Sequence, residues 1–151
     1  MYERILVAVD WSESTEAVLD HARRLASLTG AAVQLLHVRV TDFPSVPQML
    51  GALANQALTG ERAESDAGGV ARRLVDDAVA GLAAEGIRAT GVLLESAPGD
   101  TPQAVLDQAR ALDVDLIILG PRNHTRPSAL FRSNVADEVT RQAKCPVLIV
   151  P

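Results

Sequence analysis

The strongest constraint on what this chain can fold into is the alternation of short apolar runs with segments of helical period. Arg4-Ile5-Leu6-Val7-Ala8-Val9-Asp10 is continuous, rich in β-branched residues and closed by an acid. That is the pattern of a strand buried on both faces of a parallel sheet. Ala32 to Val40, Asp115 to Gly120 and Cys145 to Val150 repeat it. Ile87 to Glu95 is weaker, because Arg88, Thr90 and Gly91 interrupt it with partial alternation, and such a strand suits a sheet edge.

The segments between these runs carry helix signals. Ser12 offers an N-cap, Glu13 and Glu16 put negative charge in a first turn, and Val18, Ala22, Leu25 and Leu28 recur at helical spacing before Gly30. Ala71, Val75, Ala78 and Leu82 mark a second helix that Gly86 ends. Thr101 and Pro102 read as N-cap and first helical residue of a third, with Val105, Ala109 and Leu112 as its stripe. Val135, Val139 and Ala143 mark the last. The segment 41–60, punctuated by Pro44, Pro47, Gly51 and Gly60, has room for a further short helix around Gln48 to Leu58.

Strands alternating with helices require parallel pairing, right-handed crossovers and helices on both faces. The expectation is therefore an α/β doubly wound sheet of five parallel strands, in the order 3-2-1-4-5, within one domain spanning 1–151. In such sheets ligands bind beyond the carboxyl ends of the strands, where strand order reverses. The first and fourth strands are the expected neighbours there, so a site should include Asp10, Val38 to Val40, and Gly120 onward.

Composition removes several function classes. With 151 residues, 48% of them hydrophobic, the chain can bury a core without staples. Cys145 is the sole cysteine, which excludes an intrachain disulfide and zinc-ribbon readings and suits a reducing compartment. No stretch approaches the roughly 20 apolar residues of a membrane span, and Met1-Tyr2-Glu3-Arg4 runs into the first strand without a signal-peptide pattern. A cytoplasmic protein without membrane contact is expected. A net charge of −5 and 3% aromatic residues argue against nucleic acid as a partner.

Taken together, Ile5-Leu6-Val7-Ala8-Val9-Asp10 with Ser12, the turn Gly99-Asp100-Thr101-Pro102, Asp115 to Gly120, and Cys145 to Val150 resemble the universal stress protein family over nearly the whole chain. The resemblance implies a homodimer formed through the last strand, Val147 to Val150, and a site for ATP or another adenine nucleotide, with Mg²⁺ if the ligand is a triphosphate. It places Asp10 near ribose and phosphates, with Val9, Trp11 and Ser12 as neighbouring nucleotide-binding candidates, and Val38 and Val40 beside an adenine.

In the ATP-binding branch of that family the fourth strand is followed by Gly-x-x-Gly, then nine residues, then Gly with Ser or Thr. Here Gly120 matches the first glycine, but Asn123 replaces the second, Ser133 the third, and Asn134 stands at the hydroxyl position, with Val135 following. Glycines let backbone N–H groups approach phosphate closely, so their loss weakens the cradle. Asn tolerates left-handed backbone, and Ser133 and Asn134 remain small polar groups at a helix start. The same loop carries Arg122, His124, Arg126 and Arg132, so a bound phosphate would be held more by charged side chains than by a glycine cradle.

The remaining residues have competing readings. Asp10 is either a ribose or Mg²⁺ contact or a helix-entry acid, and Trp11 either covers a base or covers its own loop. His21 and His37 are expected to face packed neighbours, and no pair has metal-ligand spacing. Cys145 has no activating base nearby in sequence and reads as an apolar residue. The leading expectation is a stress-response binding or sensing module with a modified adenine-nucleotide site. The alternatives are an ATP-free protein working through dimer and protein contacts, and a slow ATPase. No catalytic residue or resident metal site is assigned from the sequence.

Overall fold

The computed structural model describes residues 1–41, 46–60, 65–121 and 135–151. Its elements are β1 (Arg4–Val9), α1 (Thr15–Thr29), β2 (Ala32–Val40), α2 (Val46–Thr59), α3 (Ser65–Ala84), β3 (Ala89–Ser96), α4 (Thr101–Ala111), β4 (Leu116–Leu119), α5 (Val135–Gln142) and β5 (Val147–Ile149). The strands form one parallel sheet in the order β3-β2-β1-β4-β5, as expected, with the interrupted strand at one edge. The register pairs Ile5 with Val33 on one side and with Leu116 on the other, and Ala8 with Leu119.

Helices cover both faces, which is why the central strands read as unbroken apolar runs. Ile5, Val7, Leu35 and Ile118 point to one side, against Val18, Ala22 and Ala26 of α1 and Val75 and Leu82 of α3. Leu6, Leu36, Ile117 and Leu119 point to the other, against Val105, Leu106 and Ala109 of α4 and Ala136 and Val139 of α5. Each fully buried Ile, Leu or Val contributes about 1.5–3 kcal/mol of transfer free energy. No helix among the described residues is long and apolar enough to cross a membrane.

Several boundaries differ from expectation. Helix α1 starts at Thr15 after Ser14, so Ser12 is not its N-cap. The Ser12 hydroxyl instead shares a 2.9 Å hydrogen bond with that of Ser14, while its N–H donates to the Asp10 carboxylate at 3.0 Å. Asp100, rather than Thr101, precedes α4, and Leu112 follows that helix. The helix expected around 48–58 spans Val46–Thr59. Gly30 ends α1 as expected, at φ 73°, its N–H bonded to the Ala26 carbonyl.

The amino ends of β1 and β4 are tied by one carboxylate. Asp115 accepts from the N–H groups of Glu3 at 2.7 Å and Arg4 at 3.1 Å. The Arg4 guanidinium reaches the carbonyl and carboxylate of Asp113, both at 3.0 Å. These bonds fix the register of the two strands whose opposite ends form the crevice.

Candidate functional site

Strand order reverses between β1 and β4, and the crevice at their carboxyl ends is built from the β1–α1 turn, the end of β2 and the residue after β4. The turn is tightly specified. Asp10 is exposed and spends only Oδ1 on the Ser12 N–H. Trp11 then adopts φ 56°, a left-handed conformation that costs a non-glycine residue about 1–2 kcal/mol. The turn is held by what surrounds it: Val9 is buried, and its carbonyl accepts from His37 Nδ1 at 2.8 Å. That bond makes Nδ1 the protonated nitrogen, because a carbonyl can only accept.

Gly120, one residue past β4, closes the crevice floor. A Cβ there would lie 2.6 Å from Ser14 Oγ, so the glycine gives the Ser14 hydroxyl room to lie against the end of β4. Asp10, Ser12, Ser14 and Gly120 are thereby gathered at one strand-end cluster. Beyond β2, the Thr41 N–H donates to the Ser96 carbonyl at 2.9 Å, and the hydroxyls of Ser96 and Thr101 meet at 3.5 Å.

The structure separates two residues that the sequence places at one ligand. The Trp11 ring packs toward the α1 side, with its centroid 5.6 Å from that of His37 and the planes tilted by 53°. Val38 lies on the opposite face, with the α4 and α5 residues. Trp11 and Val38 therefore cannot enclose one base between them. Val38 is half-buried and Val40 is 52% exposed at the strand end. Val135 opens α5 and is half-buried. Arg122, Asn123, Arg132, Ser133 and Asn134 lie outside the described residues, as do His124 and Arg126.

Among the described residues, two buried side-chain polar atoms have no hydrogen-bond partner: Trp11 Nε1 and Thr15 Oγ1. Burying such a group without a partner costs about 1–3 kcal/mol. Neither Ser14 nor the Ser96–Thr101 pair was singled out from sequence. The cluster of hydroxyls at 12, 14 and 15 was the available signal, and its arrangement depends on Gly120, far away in the chain. His21 is a correction: it is exposed, not packed, its Nδ1 bonded one turn back to the Ala17 carbonyl at 3.0 Å.

Cys145 lies at the other end of the sheet, half-buried in a cavity of about 220 Å³ between α4 and α5. Burial, with Asp115 nearby, pushes its thiol above the usual cysteine range. Because the thiolate is the reactive form, iodoacetamide should alkylate Cys145 more slowly than a model cysteine peptide at pH 8.5, a prediction checked by intact-mass kinetics. Equal rates would contradict the buried placement.

The family model described as the universal stress protein family matches residues 1–151. A universal stress protein from Thermus aquaticus, described as lying in a QAH/OAS sulfhydrylase 3' region, is 31% identical over 159 residues, covering 99% of each chain. A structure of a family member from Burkholderia pseudomallei is 28% identical with a TM-score of 0.67, covering 99% of this chain and 96% of the other. The structure of the Archaeoglobus fulgidus universal stress protein in complex with dAMP is 24% identical with a TM-score of 0.64, covering 99% and 98%.

Proposed function

We propose that this chain, which belongs to the universal stress protein family, binds an adenine nucleotide at the ends of β1, β2 and β4 and acts as a binding or sensing module rather than an efficient catalyst. The observation that carries this reading is the cluster at the strand-order reversal: Asp10 keeps Oδ2 for a ribose hydroxyl, and Gly120 leaves backbone accessible beside Ser14. A family member bound to dAMP supports the ligand class. If the nucleotide is a triphosphate, Asp10 is the carboxylate here suited to an accompanying Mg²⁺.

The phosphates are assigned to Arg122 and Arg126 in place of the missing glycines. Hydrogen bonds to charged groups contribute about 1.5–3 kcal/mol each, so Arg122→Ala with Arg126→Ala should weaken ATP binding by at least tenfold, measured by calorimetry. Unchanged affinity would remove the arginines from the site. The second reading, an ATP-free protein, is favoured by Asn123 and Ser133 standing where the ATP-binding branch has glycine.

Native mass spectrometry with and without Mg-ATP separates the two readings. One nucleotide per subunit supports the first, and a bare protein with no calorimetric heat supports the second. Slow ATP hydrolysis would show as phosphate release above a heat-treated control, lost in Asp10→Ala. The same spectrum tests a homodimer through β5, an edge strand whose Ile149 is 39% exposed. A single domain and a cytoplasmic location complete this reading.

A further inference from the structure

Helix α2 has an apolar stripe that nothing among the described residues covers. Val46, Met49, Leu50 and Leu53 follow the i, i+3, i+4, i+7 spacing of one helical face, and are 69%, 50%, 61% and 61% exposed. Ala57 extends the stripe by another turn and is also exposed. The other side carries Asn55 and Thr59, polar but uncharged, with the Thr59 hydroxyl bonded to the Asn55 carbonyl at 2.7 Å. A 14-residue helix is marginal in water on its own, and most helices in proteins are held by burying such a face.

We propose that α2 is a self-association surface, its stripe pairing with the same stripe of a second copy of this chain about a two-fold axis. Charge decides the occupant. The chain carries −5, so two copies repel at most points of contact, but Val46–Thr59 contains no Asp, Glu, Lys or Arg. An uncharged patch on a charged molecule is where like can meet like without an electrostatic penalty. A helix lying on a lipid surface would carry Lys or Arg on its polar side, and a partner of opposite charge would be met by a charged rim; α2 offers neither.

Size sets the strength of the contact. At 1.5 Å per residue α2 is about 21 Å long, and a single pair of such helices covers less than the ~800 Å² per partner of a stable complex. The contact is therefore weak alone and strengthened when two copies are already linked elsewhere. It is distinct from β5 pairing: α2 leaves from the end of β2, with β1 and β4 between that strand and β5. With perpendicular two-fold axes, two isologous contacts on one chain close dimers into a tetramer.

The test is sedimentation across a hundredfold concentration range. Because the stripe is exposed, Leu50→Glu with Leu53→Glu should leave the circular dichroism and melting curve unchanged while halving the assembly mass reached at high concentration. Leu50→Lys with Leu53→Lys should do the same alone, and mixing the acidic and basic variants should restore the wild-type mass. An unchanged mass in the acidic variant, or no reassociation in the mixture, overturns the proposal. Flotation of wild type with neutral phosphatidylcholine vesicles, lost in the acidic variant without a change in mass, would assign the stripe to lipid instead and equally overturn it. An Ile149→Pro variant, which removes an N–H from the outward side of β5, reports separately on β5 pairing.

Discussion

Replacing Ile118 by alanine is expected to lower the unfolding free energy by about 2–5 kcal/mol, the range for truncating a large buried aliphatic side chain. Ile118 is fully buried in β4, paired with Val7 on one side and Leu148 on the other, and packs into the cluster that joins the sheet to α1. Strands on both sides and a helix above restrict how far the surroundings can collapse into the vacated volume, which favours the upper part of the range. Since small domains have about 5–15 kcal/mol in total, a large share of the stability should go. Urea unfolding followed by circular dichroism measures it as a fall in midpoint at constant slope. A loss below about 1 kcal/mol would mean that the sheet closes over the gap, contrary to the close packing of a two-sided core.

The fold was legible because a strand buried on both faces must be apolar at successive positions, as β1, β2 and β4 are, and β5 carries the same apolar run. β3 was weaker in sequence because it sits at an edge and because Gly91 makes room for α3, whereas β5, at the other edge, kept its apolar run. Turn chemistry was less legible. Ser12, Ser14 and Thr15 all compete as helix caps, and the outcome is set by Trp11 turning left-handed, by His37 holding the Val9 carbonyl, and by Gly120 admitting Ser14. His37 and Gly120 are remote in sequence, so no local pattern names them. The face on which Trp11 lies is likewise fixed by the parity of His37 along β2, and this separates Trp11 from Val38. For α2 the periodicity gives a face to cover but not its occupant.

Gly91 supplies the second large effect, because here a residue that weakens the strand pattern is required by packing. It lies in β3, paired with Leu35, and a Cβ built on it would stand 2.5 Å from Val75 Cγ1 and 2.9 Å from Val79 Cγ2. Val75 is fully buried, and a valine in a helix has essentially one χ1 rotamer, so its methyls cannot turn away. Any side chain at position 91 must instead push α3 off the sheet. Gly91→Val should therefore cost about 1–3 kcal/mol through overpacking, a fall of several degrees in melting temperature at about 2–4 °C per kcal/mol for a chain of this size. Gly91→Ala should be destabilising too, even though alanine ordinarily gains by reducing the freedom of the unfolded chain. Combining Gly91→Ala with Val75→Ala makes space for the new Cβ, so the double variant should lose less than the two single losses added together, a coupling expected only between residues in contact. Strict additivity, or a Gly91→Ala protein as stable as wild type, would show that α3 does not press on β3 at this point, and that the glycine is an accident of the edge strand rather than the reason the helix can lie so close.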